Sequence, residues 1–240
     1  MEQALFPKYC NSLYDRSRLE TRSVNIGVVN IGATFPVAVQ SMTTVDTMDT
    51  LGSIEESIRM IKNGCEIVRL TAPSIREAEN LSKIKEGLVS AGYNAPLVAD
   101  IHFTPNAAEA AAKHVEKVRI NPGNYADKKK FEEIEYTDDS YKKELLRIEE
   151  KFTPLVLLCK KNNVAMRIGT NHGSLSDRIL SRFGDTPEGM VASALEFLDV
   201  CKKHDYNNVV LSMKASNTIV MVQAYRLLVA EMLKTGMAIH

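Results

Sequence analysis

The sequence predicts an α/β fold: a TIM-type (β/α)8 barrel carried through about six βα units, behind an N-terminal β-hairpin. Three observations predict it. Six short apolar runs (VAVQSM, EIVRL, LVADIH, VRIN, AMRIG and VVLSMK) are separated by stretches with helical periodicity. Each run ends in polar or charged residues: Ser41, Arg69, Asp100 and His102, Arg119 and Asn121, Arg167, and Ser212 with Lys214. A buried parallel strand has no use for a cation at its tip, whereas a barrel builds its site from the C-terminal ends of its strands. Finally, no GxGxxG follows the first run, which weakens the dinucleotide-binding doubly wound sheet, the other fold with this alternation.

The elements follow in order. Residues 23–36, SVNIGVVNIGATFP, combine β-branched residues with two glycines and Asn, as a hairpin does. The first buried strand is 37–41. Leu51, Ile54, Ile58 and Ile61 then mark a helix over 49–63, stopped by Gly64. Strand 66–70 leads to a helix over 74–91, with Gly92 as its stop. Strand 97–101 leads to the Ala-rich helix 106–113. Strand 117–120 is closed by Asn121, Pro122 and Gly123. The charged stretch 124–161 divides into an exposed excursion and an amphipathic helix. Strand 164–168, helices near 175–182 and 187–204, strand 208–213 and helix 218–234 complete the series. Residues 1–22 form an N-terminal extension and 23–240 the barrel domain. Six units are two short of a closed barrel. The chain is therefore expected to be an incomplete N-terminal portion, with open sheet edges and poor solubility in isolation.

With 45% hydrophobic and 25% charged residues in 240, the chain has the composition of a globular protein with a sizeable core. A formal net charge of zero gives no general nucleic-acid or anionic-membrane surface, though a local basic pocket remains open to it. No run is long enough to span a bilayer, and the first 22 residues carry acids and no apolar signal core. A cytoplasmic protein is expected. Cys10, Cys65, Cys159 and Cys201 are scattered without metal-ligand spacing and read as reduced thiols, so no metal is expected on this chain.

The strand-end cations carry the functional argument. Lys and Arg make up 30 of 240 residues, so three positions on each of six tips would give roughly two by chance. Four are present, Arg69, Arg119, Arg167 and Lys214, together with His102. A charge inside a strand pattern is costly unless paired. Either internal acids such as Asp100 pair them or an anionic ligand does. Phosphate is the common choice, because the planar guanidinium binds its oxygens in a bidentate manner. Thr43, Thr44, Asn121, Asn124, Asn171 and Ser174 add neutral donors around them. Asp100 and His102, at i and i+2, share one face of their strand and form a candidate orienting couple.

Read together, PVAVQSMTT (36–44), LVADIHF (97–103), VRINPGN (118–124), MRIGTNHGSL (166–175) and VVLSMKAS (209–216) resemble the 4-hydroxy-3-methylbut-2-enyl diphosphate synthase family of the non-mevalonate isoprenoid pathway. The likeness runs from about Thr21 to Gly236, and EYTDDSYKKEL resembles the longer variant of that family. The resemblance implies reductive opening of 2-C-methyl-D-erythritol 2,4-cyclodiphosphate on a [4Fe–4S] cluster held by a C-terminal domain, with ferredoxin or flavodoxin as electron donor and a homodimeric enzyme. It implies that Arg69, His102, Arg119, Asn121, Arg167, Asn171 and Lys214 grip the substrate, with Thr43, Asp100, Asn124 and Ser174 in support. The family's downstream CxxC pair, third Cys and Glu have no counterpart here, so no catalytic residue is expected on this chain and it should be inactive alone. Two alternatives are a diphosphate-binding barrel transferase of the pterin type and a non-catalytic anion-binding module.

Overall fold

The computed structural model describes residues 12, 14–15, 19–101, 104–126 and 136–236. A hairpin comes first, with β1 (Ser23–Ile26) antiparallel to β2 (Val29–Gly32) around Gly27 at φ 60°. Six parallel strands follow in sequence order, β3 (Gln40–Met42), β4 (Ile67–Thr71), β5 (Leu97–Asp100), β6 (Lys117–Ile120), β7 (Ala165–Asn171) and β8 (Val209–Lys214). Helices return the chain between them: α1 (Thr50–Lys62), α2 (Ile75–Ser90), α3 (Pro105–Ala111), a single turn α4 (Pro122–Tyr125), α5 (Asp138–Asn162), α6 (Asp177–Phe183) and α7 (Pro187–Lys203). After β8, α8 (Thr218–Lys234) completes the described chain. Strand order equal to sequence order is that of a barrel wall, not of a doubly wound sheet with its reversal.

Local chemistry accounts for the helix ends. Asp49, Ser74, Thr137, Ser176, Thr186 and Asn217 each accept a backbone N–H at the start of a helix, and Ser74 with Glu77 completes a capping box. Gly64, Gly92 and Gly236 stand at positive φ beyond the ends of α1, α2 and α8, as their positions in the sequence predict.

The sheet separates two cores. Val68, Leu70, Ala99, Val118, Ile120, Met166, Ile168, Val209 and Leu211 point outward and pack with the helices in the main core. Their alternates Ile67, Val98 and Ala165 point inward, where Val24 and Ile26 of the hairpin close the N-terminal end of the lumen. The same parity puts Arg69, Asp100, Lys117, Arg119 and Arg167 on the lumen side above that plug.

Three expectations shift. The first barrel strand begins at Gln40 rather than at 37, and Val37 is 86% exposed, because nothing covers this part of the sheet edge among the described residues. Asn121, Pro122 and Gly123, read as a stop, open the turn α4, with Pro at its first position. Strand 164–168 extends to Asn171. The excursion anticipated after Asn124 falls largely on 127–135, outside the described residues.

Candidate anion-binding site in the barrel lumen

The site is built on β4 to β7, four neighbouring strands that each turn a charged side chain inward. Asp100, 2% exposed, lies between two guanidiniums. It makes a short ion pair with Arg69 and accepts from Arg119 Nη1 at 3.2 Å. Asp100 is directly paired in register with Arg119, which is paired in turn with Arg167, so the three form one row across the sheet. Arg119 reaches further and donates from Nη2 to the carbonyl of Gly169 at 3.1 Å. A Cβ at residue 169 would stand 2.7 Å from Arg119 Nε, so the glycine makes room for the guanidinium.

The cations outnumber the internal acid. Arg167 has no hydrogen-bond or ion-pair partner among the described residues, and its buried Nε is unsatisfied, as are Nε of Arg69 and Arg119. Buried, unpaired donors of this kind call for an acceptor. Burial, with the guanidiniums of Arg69 and Arg119, pushes Arg167 down to about 10, still a cation at neutral pH. Burial lowers Arg119 as well, helped by Arg69 and opposed by Asp100.

The rim is held by neutral groups. Asn121 Nδ2 donates to Ser174 Oγ at 2.7 Å, and Ser174 Oγ donates to the Asn171 carbonyl at 3.1 Å. This ties α4 to the 3-10 turn His172–Ser174 that follows β7. A Cβ on Gly123 would fall 1.7 Å from the Ser174 carbonyl oxygen, so the two loops touch backbone to backbone. On the β3 side, Glu56 accepts from Thr44 N, Thr44 Oγ1 and Val45 N, and Asn80 Nδ2 donates to the Thr47 carbonyl. Thr44 is thereby committed to the loop, while the Thr43 hydroxyl is buried without a partner among the described residues.

The structure thus gathers Arg69, Asp100, Arg119, Asn121, Arg167, Asn171 and Ser174 at the strand ends and lumen of β4 to β7. Lys214 ends β8, exposed and in register with Asn171. Asn124 lies in α4, its backbone N–H bonded to the Asn121 carbonyl. His102 lies outside the described residues, so its couple with Asp100 goes undescribed. Sequence reading passed over Lys117, which is 4% exposed in the lumen, two residues before Arg119 on the same face of β6. The i, i+2 rule that linked Asp100 to His102 would have found it.

No cysteine among the described residues contributes to the site. Among the described residues no group of three or more His, Cys, Asp or Glu could hold a metal. Cys65, Cys159 and Cys201 are buried in the main core on the outer side of the sheet, and burial pushes the Cys159 thiol up to about 12 and Cys201 upward too. Thiols so placed do not fit an iron–sulfur cluster, which needs accessible thiolates.

A parallel barrel wall with clustered guanidiniums inside its C-terminal end defines a class, the (β/α) barrels with a cationic lumen. Within that class, the chain belongs to the family of the GcpE TIM-barrel domain, which it matches over residues 21–240. It is 58% identical over 226 residues to a 4-hydroxy-3-methylbut-2-en-1-yl diphosphate synthase (flavodoxin) of Protochlamydia amoebophila, covering 94% of this chain and 35% of that protein. It is 57% identical over 228 residues to a protein of the same name from Akkermansia muciniphila, covering 95% and 39%. It is 55% identical over 230 residues to the chloroplastic, ferredoxin-named enzyme of Arabidopsis thaliana, covering 95% and 31%. The chain therefore spans about a third of the length of these relatives. No described helix is long and apolar enough to cross a membrane.

Proposed function

We propose that this chain is the substrate-gripping barrel of a 4-hydroxy-3-methylbut-2-en-1-yl diphosphate synthase, and that its ligand is 2-C-methyl-D-erythritol 2,4-cyclodiphosphate. The observation that carries the reading is Arg167, a buried guanidinium with no hydrogen-bond or ion-pair partner among the described residues, beside two more guanidiniums that share the one nearby carboxylate, Asp100. A diphosphate supplies the missing acceptors. Arg69, Arg119 and Arg167 neutralise its oxygens from one side of the lumen, and Lys214 adds charge at the end of β8. Asp100 holds two of the guanidiniums in place before the ligand arrives, so little reorganisation is needed on binding. The bonds from Asn121 to Ser174 and from Ser174 to Asn171 fix the rim through which the ligand enters.

In this reading the barrel binds and aims the cyclic diphosphate, and electrons come from flavodoxin or ferredoxin, the donors that the relatives' names carry. The [4Fe–4S] cluster that the reading implies would be held by residues other than the described ones. Assembly as a homodimer and a cytoplasmic location belong to the same proposal. Arg167→Ala in the intact protein should weaken cyclic-diphosphate binding by about 1–3 kcal/mol, the loss of a charge-assisted hydrogen-bond pair. Calorimetric titration of the two proteins measures it, and equal affinities would remove Arg167 from the diphosphate site.

A further inference from the structure

Lys117 is a buried amine that the grip of the arginines does not use. It lies in register between Val98 and Ala165, both members of the apolar cluster that packs on the hairpin, one row below Asp100, Arg119 and Arg167. The residue is 4% exposed, its Nζ keeps some contact with the lumen's solvent, and no hydrogen bond or ion pair engages it among the described residues. Its charged surroundings are one-sided. Arg69 faces it from β4, Arg119 from its own strand and Arg167 from β7. Asp100 on β5 is the acid of the row, and it is already shared by Arg69 and Arg119. The hairpin below offers Val24 and Ile26, with no charge. The neighbouring Glu116 is engaged by Lys85 at 2.8 Å and by the Leu97 N–H.

Residual lumen water eases an ammonium in that position only in part, and two changes ease it further: losing its proton, or acquiring an anion. We propose that Lys117 is a proton-linked binding residue, which takes up a proton when an anion enters the lumen and thereby adds a fourth cation to the three arginines. This rests on the anion-binding reading of the lumen and extends it, since it makes affinity depend on pH through a residue below the site. The surroundings set the range. Burial first, then the charges of Arg167 and Arg69, bring the amine down to about 8, so in the empty lumen it is mostly charged at neutral pH and an even mixture of charged and neutral forms at about pH 8. An anion beside Arg69 and Arg167 offsets those charges and raises the amine's affinity for its proton.

The sign follows from linkage. The protonated amine favours the anion, so binding is tight below about pH 8 and weakens as pH rises through the amine's titration in the empty protein. Affinity should fall about tenfold between pH 7 and pH 9. The test is calorimetric titration of the intact protein with the cyclic diphosphate, whose phosphodiester groups do not titrate in that range. Two buffers of different ionisation enthalpy report the protons taken up. About half a proton should enter per ligand at pH 8. Lys117→Met should take up none and bind with no slope between pH 7 and 9. Lys117→Arg, always charged, should keep the binding and lose both the slope and the uptake. Uptake that persists in Lys117→Met would overturn the assignment, and so would its absence from the unaltered protein. A parallel titration with sulfate separates this inference from the substrate reading. Uptake with sulfate that depends on Lys117, without binding of the cyclic diphosphate, would leave Lys117 standing and reject that substrate. Failure of both anions to bind would reject both.

Discussion

Gly169 and Arg119 form a pair in which one residue's lack of a side chain places the other's. The guanidinium crosses β7 where any Cβ would stand 2.7 Å from Nε, and it ends on the glycine's own carbonyl. Gly169→Ala should therefore displace Arg119 from Asp100 while leaving the strand intact. We expect about tenfold weaker anion binding, the scale of one charge-assisted hydrogen bond, with a melting temperature within a few degrees of the unaltered protein. Titration alongside calorimetric melting checks both, and unchanged affinity would mean that Arg119 does not need its present pose. At this scale the sequence showed the cations and their strand-end placement. It also allowed that Asp100 pairs with some of them, and it does pair with Arg69 and Arg119. It could not show that Asn121 and Ser174 bond to each other, because that contact joins residues 53 apart across two loops. Lys117 was missed for a different reason. It opens a strand, and attention to strand ends passes over a cation one inward position earlier.

Among the elements, the loop from β3 to α1 shows how a helix can fix a site's margin. Glu56 is 8% exposed, in the second turn of α1, and accepts three hydrogen bonds from Thr44 and Val45. Burial raises its carboxyl, but those donors and Arg59 outweigh the burial and hold it below its ordinary value of 4.5. A depressed carboxylate contributes stability above 4.5 that is lost as pH falls through its folded value. Glu56→Gln should thus lower stability by about 1–2 kcal/mol at pH 7. The gap should narrow steadily once the pH drops below 4.5. Urea unfolding at pH 7 and 3.5 measures it, and a gap independent of pH would show that the carboxylate's charge is not what holds the loop. The elements themselves were largely legible, since apolar periodicity and glycine stops bracket α1, α2 and α8 closely. β3 was not. Val37 and Val39, the apolar letters on which the run 37–41 reads as a strand, lie before β3 and are 86% and 54% exposed, so composition indicated burial that the edge of this sheet does not supply.

For the molecule as a whole, the six-stranded sheet has β3 and β8 at its two ends, with Met42 on the first and Ile219, Val222 and Leu233 on the helix beside the second among the exposed apolar residues. Open parallel edges flanked by apolar surface invite pairing with other chains. The 240-residue polypeptide alone should self-associate at micromolar concentration, as light scattering would register. A monodisperse solution with one cooperative melt would contradict it. Strand count was readable from alternation, and strand order only with the strand-end cations and the missing GxGxxG beside it, whereas the degree of closure is a property of the sheet's curvature, which no local pattern encodes. The distribution of charge has a kinetic meaning as well. The chain's formal charge is zero, yet Arg69, Lys117, Arg119 and Arg167 face Asp100 inside the lumen. The outer surface must then carry the matching negative excess. At long range a chain of zero net charge neither repels nor draws an anion, and attraction begins near the mouth, where the low-dielectric walls focus the interior field. Added salt should therefore leave the distant approach unchanged and slow capture only to the extent that it screens the sheltered interior.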